Sequence, residues 1–508
     1  MSPDSTFPVE PWQVRETHLD LNVLAQSESL FALSNGHIGI RGNLDEGEPH
    51  GLPGTYLNSF YEVRPLPYAE AGYGYPEAGQ TVVDVTNGKI LRLLVDDEPF
   101  DVRYGKLLSH ERVLDLRAGT LTRYAHWQSP VGKQVLVTST RLVSLAQRSV
   151  VAIEYIVEAA DEFVRVTVQS ELVANEDQPV TSGDPRVAAI LDRPLEAVQH
   201  EDTECGALLM HRTRASALMM AAAMDHEVEV EGRVEITNDA GDDLARTTVI
   251  CGLRPGQQLR IVKYLAYGWS SQRSRPALRD QAAAALHSAR YSGWQGLVDA
   301  QRKILDDFWD GADVEVEGDP ICQQAVRFGL FHLLQASARA ERRGIASKGL
   351  TGTGYDGHIF WDTEGFVLPV LTYTLPHAAA DALRWRASTL DLAKERAAQL
   401  APLRSGMLGL LAGRNRRVAH QRRHRNGFRA LSDRQRRRVA GEGLRAGSAH
   451  RDGPAVAFTR PSRPPRSMAP GRGNRSRRIH RDRARQCVHQ HDGGTQPADC
   501  RRRVRPAL

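Results

Sequence analysis

The sequence predicts a multidomain β + α chain: a β-rich N-terminal domain, a helical linker, the opening helices of a further domain, and a disordered Arg-rich tail. Three features carry this. Short alternating runs separated by turn residues fill about Glu16 to Trp269, the pattern of half-buried antiparallel strands. From Pro276 onward the apolar spacing turns helical. The charge then splits: of 66 Lys+Arg and 61 Asp+Glu in 508 residues, the stretch 402–508 holds 28 Arg, no Lys and 6 acids.

The strand runs are Lys133–Arg141, Val151–Val157, Val164–Leu172, Glu227–Ile236 and Leu259–Tyr267. Asn35-Gly36, Asn87-Gly88 and Asp239-Ala240-Gly241-Asp242 mark turns between strands. Residues 1–270 therefore read as one large β-sandwich domain. Residues 271–318 read as a helical linker, with Pro276 suited to a first helical turn. Asp313–Val316 reads as a brief extended piece. A second helix opens at Asp319-Pro320 and runs through Ala340; Val326, Phe328, Leu330, Phe331, Leu333 and Leu334 surround its axis, as on a helix buried on more than one side. A third helix is expected from His377 to Ala398. These helices make 319–401 the start of a helical domain.

The body, 1–401, carries 38 basic and 55 acidic residues, which argues against nucleic acid as its main partner. The five Cys, at 205, 251, 322, 487 and 500, show neither paired spacing nor a metal-ligand pattern and read as reduced thiols. No leader pattern opens the chain, and no stretch approaches the roughly 18 apolar residues of a membrane span. The expectation is a cytoplasmic protein with no membrane and no nucleic-acid partner.

Between the second and third helices lies Lys348-Gly-Leu-Thr-Gly-Thr-Gly-Tyr-Asp-Gly-His-Ile-Phe-Trp-Asp-Thr-Glu364. A Trp beside an Asp suits a sugar: the indole covers the C–H face of a pyranose while the carboxylate accepts from its hydroxyls. The bland reading is a connecting loop with a capping Asp. A phosphate cradle is disfavoured because no strand precedes the glycines and no Lys-Ser/Thr follows them. A metal site at Asp356, His358 and Asp362 lacks a helix or hairpin to fix its geometry.

The run from Lys348 to Ala397 resembles the opening of the catalytic domain of glycoside hydrolase family 65, which holds maltose, trehalose and kojibiose phosphorylases and some hydrolases. ESLFALSNGHIGIRGNLDEG (28–47) with GLPGTYLNSFYE (51–62) resembles that family's N-terminal β-domain. The resemblance implies a β-super-sandwich, a helical linker and an (α/α)6 barrel of which 319–401 is the incomplete start. It implies inverting cleavage of an α-glucosidic bond in a disaccharide, with a Glu as general acid, and no cofactor; in a phosphorylase, inorganic phosphate is the co-substrate. Carried over by motif, Phe360, Trp361 and Asp362 line the donor-glucose pocket. Homodimeric full-length relatives are compatible with it. The general acid and phosphate ligands lie further downstream, where this sequence departs from the family.

Residues 402–508 contain no Trp, no Tyr and a single Ile. Genuine basic tails mix Lys with Arg, whereas Arg without Lys fits GC-rich coding DNA read out of frame. The genetic code lets this be checked. If each true codon takes the last two bases of one codon and the first of the next, Met407 before Leu408 must become Cys. Gly406 to Arg425 then permits ECSAYWPAGTAAWHINADIA, and Gly473 to Gln490 permits VTGPDEYTA, three loosely determined positions and DNVFTN. Both resemble family signatures, and the catalytic Glu would span the codons of Arg478 and Ile479. The expectation is a truncated, frame-shifted chain with no catalytic residue and no activity. The alternative is a non-catalytic protein whose basic tail binds nucleic acid in a salt-sensitive way.

Overall fold

A computed structural model describes residues 6–65, 78–177 and 191–399. Expectations for 402–508, the tail and both recoded motifs, lie outside the described residues. Two sheets dominate. The larger has ten antiparallel strands in the order Val9–Glu10, Gln13–Glu16, Lys106–Asp115, Thr120–Gln128, Gln134–Val143, Val150–Ala159, Gln258–Ser270, Met219–Val230, Gly206–Thr213 and Leu195–Asp202. The smaller runs Val234–Ala240, Leu244–Leu253, Val164–Val173, Leu91–Val95 and Glu98–Pro99. Their facing side chains form one core: Val135, Val137, Ile153, Tyr155 and Ile261 from the larger sheet meet Leu93, Val166, Val168 and Val249 from the smaller. This is sandwich packing, as the alternation in the sequence predicts.

The predicted strand Glu227–Ile236 is two strands. Met219–Val230 belongs to the larger sheet and Val234–Ala240 to the smaller, with a turn at 231–233 where Gly232 has φ +112°. The run EVEVEGRVEI alternates straight through this turn, so a period of two cannot show the break; only the glycine signals it.

A charged cluster is sealed within the sandwich. Asp45, from the 28–47 motif, accepts from Ser139 Oγ at 2.7 Å and from Arg141 Nη2 at 2.5 Å, and pairs with Arg123 at 3.1 Å. Glu46 takes the same Arg123 nitrogen at 2.8 Å. Burial alone would raise the Asp45 carboxyl, but the Arg141 and Arg123 guanidinium groups outweigh it and hold the carboxyl below its usual range.

The first helix, α1, is Leu24–Leu30. The stretch expected to be a linker holds α2, Arg275–Ala312, capped by Ser274, whose hydroxyl accepts from the Ala277 N–H, and interrupted at Gly293, which has non-helical φ and ψ. It is not a free spacer. Leu278 and Ala282 pack on Leu208, Met210 and Ala221, while Ala289 and Leu297 pack on Val150, Val262 and Tyr264. Its last turns put Leu305, Phe308 and Trp309 into the main core. Burying each of the large side chains is worth about 1.5–3 kcal/mol, which holds α2 against the outer face of the larger sheet.

Helix α3, Pro320–Ser337, is N-capped by Asp319, which accepts from the Cys322 N–H at 3.0 Å. It ends three residues before the predicted Ala340. Phe331 and Leu334 join the sandwich core while Leu333 packs on a second cluster with Leu368, Leu371 and Leu383, so apolar side chains on more than one side do find cover. That cluster comes from α4 (Leu368–Thr374), which was not predicted, and α5 (Pro376–Ser388). The predicted third helix is in fact two, α5 and α6 (Leu390–Gln399), divided at Thr389. Asp313–Val316 carries no strand pairing. No described helix is long and apolar enough to cross a membrane. Apolar side chains nevertheless stay in water around these helices: Phe366 and Leu392 are each 68% exposed.

Candidate functional site

The segment 348–364 is fastened to the β-domain by the short hairpin Tyr61–Pro65 and Ala78–Val82. Arg64 Nη2 donates to Asp356 Oδ2 at 3.1 Å and Thr81 Oγ1 donates to Asp356 Oδ1 at 3.0 Å. The Tyr61 hydroxyl donates to the Gly357 carbonyl at 2.7 Å, and His358 Nε2 donates to the Gln80 carbonyl at 2.5 Å. Tyr355 and Asp356 are both left-handed, with φ of 57° and 56°, a conformation that persists in bulky residues only when neighbours over-determine it. Gly357 follows at φ +71°, and a Cβ there would lie 2.7 Å from the Val82 Cβ. The backbone approach requires glycine.

The two stretches singled out in the sequence meet here. Arg41 of the 28–47 motif donates to the Thr351 carbonyl at 2.6 Å, and Asn58 of the 51–62 motif donates to the Gly344 carbonyl at 3.1 Å. The β-domain thus shapes the loop directly.

Phe360, Trp361 and Asp362 lie consecutively on the loop's exposed side, Phe360 at 36% and Trp361 at 42%. Phe360 meets Tyr355 edge-on, with ring centroids 5.5 Å apart. Behind them, the nearly buried Glu364 carboxylate accepts from Arg386 Nε at 2.6 Å and from Nη2 at 3.1 Å, and the same Nη2 donates to the Phe360 carbonyl at 3.3 Å. A π-helical turn, Thr363–Val367, starts directly after Asp362; such turns recur at functional sites. An aromatic face beside a carboxylate on a braced ridge can hold a polyhydroxylated ring from one side. It is an open ridge and not a closed pocket.

The nearby cavity does not supply the rest. It lies between Val82, Asp84, Glu176 and Thr353 and has a volume of about 20 Å³, room for a water molecule and far less than a sugar ring. Burial and the neighbouring Glu176 push the Asp84 carboxyl up to about 7. Asp356 and His358 are each hydrogen-bonded to the hairpin, and among the described residues no group of three His, Cys, Asp or Glu is placed to hold a metal ion.

Sequence reasoning missed the braces: Arg64, Thr81 and Arg386. They are 292, 275 and 22 residues from the groups they hold, beyond any local pattern. Replacing Asp356 with alanine is expected to loosen the loop by about 1–2 kcal/mol, a value reduced for its partial exposure. Amide exchange across 353–362 should then speed up about tenfold, with protection of the sandwich core unchanged.

Residues 14–308 match the model of the glycosyl hydrolase family 65 N-terminal domain, and residues 327–414 match that of the family 65 central catalytic domain. The chain belongs to glycosyl hydrolase family 65. It is 86% identical over 400 residues to an uncharacterised glycosyl hydrolase of Mycobacterium tuberculosis, covering 79% of this chain and 51% of that protein. It is 33% identical over 399 residues to the α,α-trehalose phosphorylase of Thermoanaerobacter brockii, covering 78% and 52%. A solved structure, a putative kojibiose phosphorylase from the human microbiome, superposes with a TM-score of 0.71 at 24% identity, covering 78% and 51%; it speaks to the fold. The chain spans about half the length of the curated relatives it matches. The β-domain motifs fall within the first family 65 match and the 348–364 loop within the second.

Proposed function

We propose that residues 1–401 are the N-terminal half of an inverting family 65 enzyme acting on an α-glucosyl disaccharide of the maltose, trehalose or kojibiose class, by phosphorolysis or hydrolysis. The observation that carries this is the braced ridge: Phe360 and Trp361 supply an aromatic wall, Asp362 a carboxylate acceptor, and the Glu364–Arg386 pair fixes the backbone beneath them. In the complete reaction a downstream Glu protonates the leaving oxygen while phosphate or water attacks the anomeric carbon from the opposite face. The ridge binds and orients the donor ring, and no proton moves through it. Phosphate is a co-substrate in the phosphorylase form, and the reading calls on no cofactor.

The domain reading is 1–270 for the sandwich, 271–318 for the linker and 319–401 for the first helices of an (α/α)6 barrel. The exposed Phe366 and Leu392 are the faces that further barrel helices would cover. Beyond about residue 401 the reading frame changes. The supporting contrast is between 86% identity over 400 residues and a tail of 28 Arg without Lys. On this reading the 508-residue chain has no general acid. Purified protein incubated with maltose, trehalose or kojibiose, with and without phosphate, is expected to release neither glucose nor glucose 1-phosphate. Turnover that survives repurification would contradict it.

A further inference from the structure

Three turns meet where the sandwich joins the helices, and between them they gather positive charge. The turn Asn35-Gly36-His37 brings His37, the turn before Val150–Ala159 brings Arg148, and the segment after α3 brings Arg339 and Arg343. Each guanidinium is anchored. Arg148 Nε donates to the Arg339 carbonyl at 3.1 Å; Arg339 donates to the Leu145 carbonyl at 3.0 Å; Arg343 donates to the Asn58 carbonyl at 3.2 Å and stacks on Trp269 at 4.0 Å. These contacts fix the side chains without neutralising them.

Among the described residues the neutralising charge is one carboxylate. Glu341 pairs with Arg148 at 3.1 Å and with Arg339 at 3.0 Å and is itself 45% exposed. Three cations thus face one anion, and no described residue accepts from the terminal nitrogens of Arg148 or from Nε and Nη2 of Arg343. A second observation is independent of the arginines. His37 is 3% exposed, and its Nδ1 has no hydrogen-bond partner among the described residues, a costly state for a buried polar atom. Burial and then Arg148, Arg343 and Arg339 lower its basicity, so the ring sits in their common field. Arg343 itself is lowered to about 10 by burial and by repulsion from Arg148, a strain that a bound anion relieves.

We propose that Arg148, Arg339 and Arg343, grouped around the buried His37 ring, form a binding site for a tetrahedral oxyanion such as phosphate or sulfate. The terminal nitrogen pair of Arg148 and the Nε/Nη2 pair of Arg343 can each meet such an anion bidentately, while Arg339, whose nitrogens already bond the Leu145 and Ala146 carbonyls and Glu341, adds its charge. The proposal uses none of Phe360, Trp361 and Asp362 and does not depend on the sugar reading.

The test uses the whole 508-residue chain, titrated with inorganic phosphate by calorimetry at constant ionic strength, with sulfate and chloride in parallel. Phosphate and sulfate should show one saturable site per chain, absent with chloride. Arg148→Gln and Arg343→Gln should each weaken it about tenfold or more. His37→Gln serves as a third variant should either fail to fold, and circular dichroism in phosphate-free buffer reports folding. The 28 Arg of the tail give a background common to every variant, so only the difference between proteins counts. An adventitious ion or tail binding only, seen as equal titrations in wild type and variants, would overturn the proposal, as would no saturable binding at all.

Discussion

Replacing Asp45 with alanine is expected to destabilise the sandwich by about 3–5 kcal/mol, a fifth or more of the roughly 5–15 kcal/mol that holds an ordinary domain together. The reason is what remains. Asp45 is the acidic partner of Arg141, at 2.5 Å, and shares Arg123 with Glu46. Its loss strands the buried Arg141 charge and the Ser139 hydroxyl, and an uncompensated buried charge is among the most damaging defects a core can hold. Asp45→Asn, which keeps the shape, should cost less. The pH dependence has a fixed sign. The Asp45 carboxyl is lowered in the folded state, so its contribution is full above the ordinary Asp range near 4 and is lost as the pH falls through the lower folded value. Urea midpoints for wild type and variant, measured between pH 7 and pH 3, check both statements. A loss below about 1 kcal/mol at pH 7 would show that the cluster is not held through Asp45.

In the protein made from a frame-restored gene, Asp362→Asn is expected to lower kcat/KM for the preferred disaccharide by about 10²–10⁴-fold. Two hydrogen bonds to a charged acceptor, at about 1.5–3 kcal/mol each, set that scale. Trp361→Ala should cost about 10–100-fold through lost ring contact. Neither residue supplies a core contact comparable to Phe331 or Leu334, since both are exposed, so the unfolding midpoint should move little. A change of less than threefold in Asp362→Asn would remove it from the donor site.

Much of the fold was legible because its signals are local. The alternation of Gln134–Val143 and Val164–Val173 is the pattern of inward and outward side chains seen in the sheets. Pro276 and the Asp319-Pro320 pair mark where α2 and α3 begin. Features that depend on distant partners were not legible. The crossing of Met219–Val230 and Val234–Ala240 from one sheet to the other hides inside one alternating run. The break at Thr389 hides because α5 and α6 carry helix-forming residues on both sides. For the site, the ridge could be named because Trp beside Asp is informative at one position. Its braces could not, because Arg64 and Arg386 gain their roles only when hairpin and helix come together. The motif-bearing stretches are joined in the structure: Arg41 reaches the carbonyl of Thr351 inside the loop, and Asn58 that of Gly344 just before it.

The central claim is that one gene encodes a family 65 enzyme whose last part is here read in another frame. The nucleotide sequence past codon 401 tests it most directly. Read in the frame that turns Met407 into Cys, it should continue without a stop beyond codon 508 and encode a second half comparable in length to that of the 86% identical relative. Stop codons in that frame before codon 508 would contradict the account.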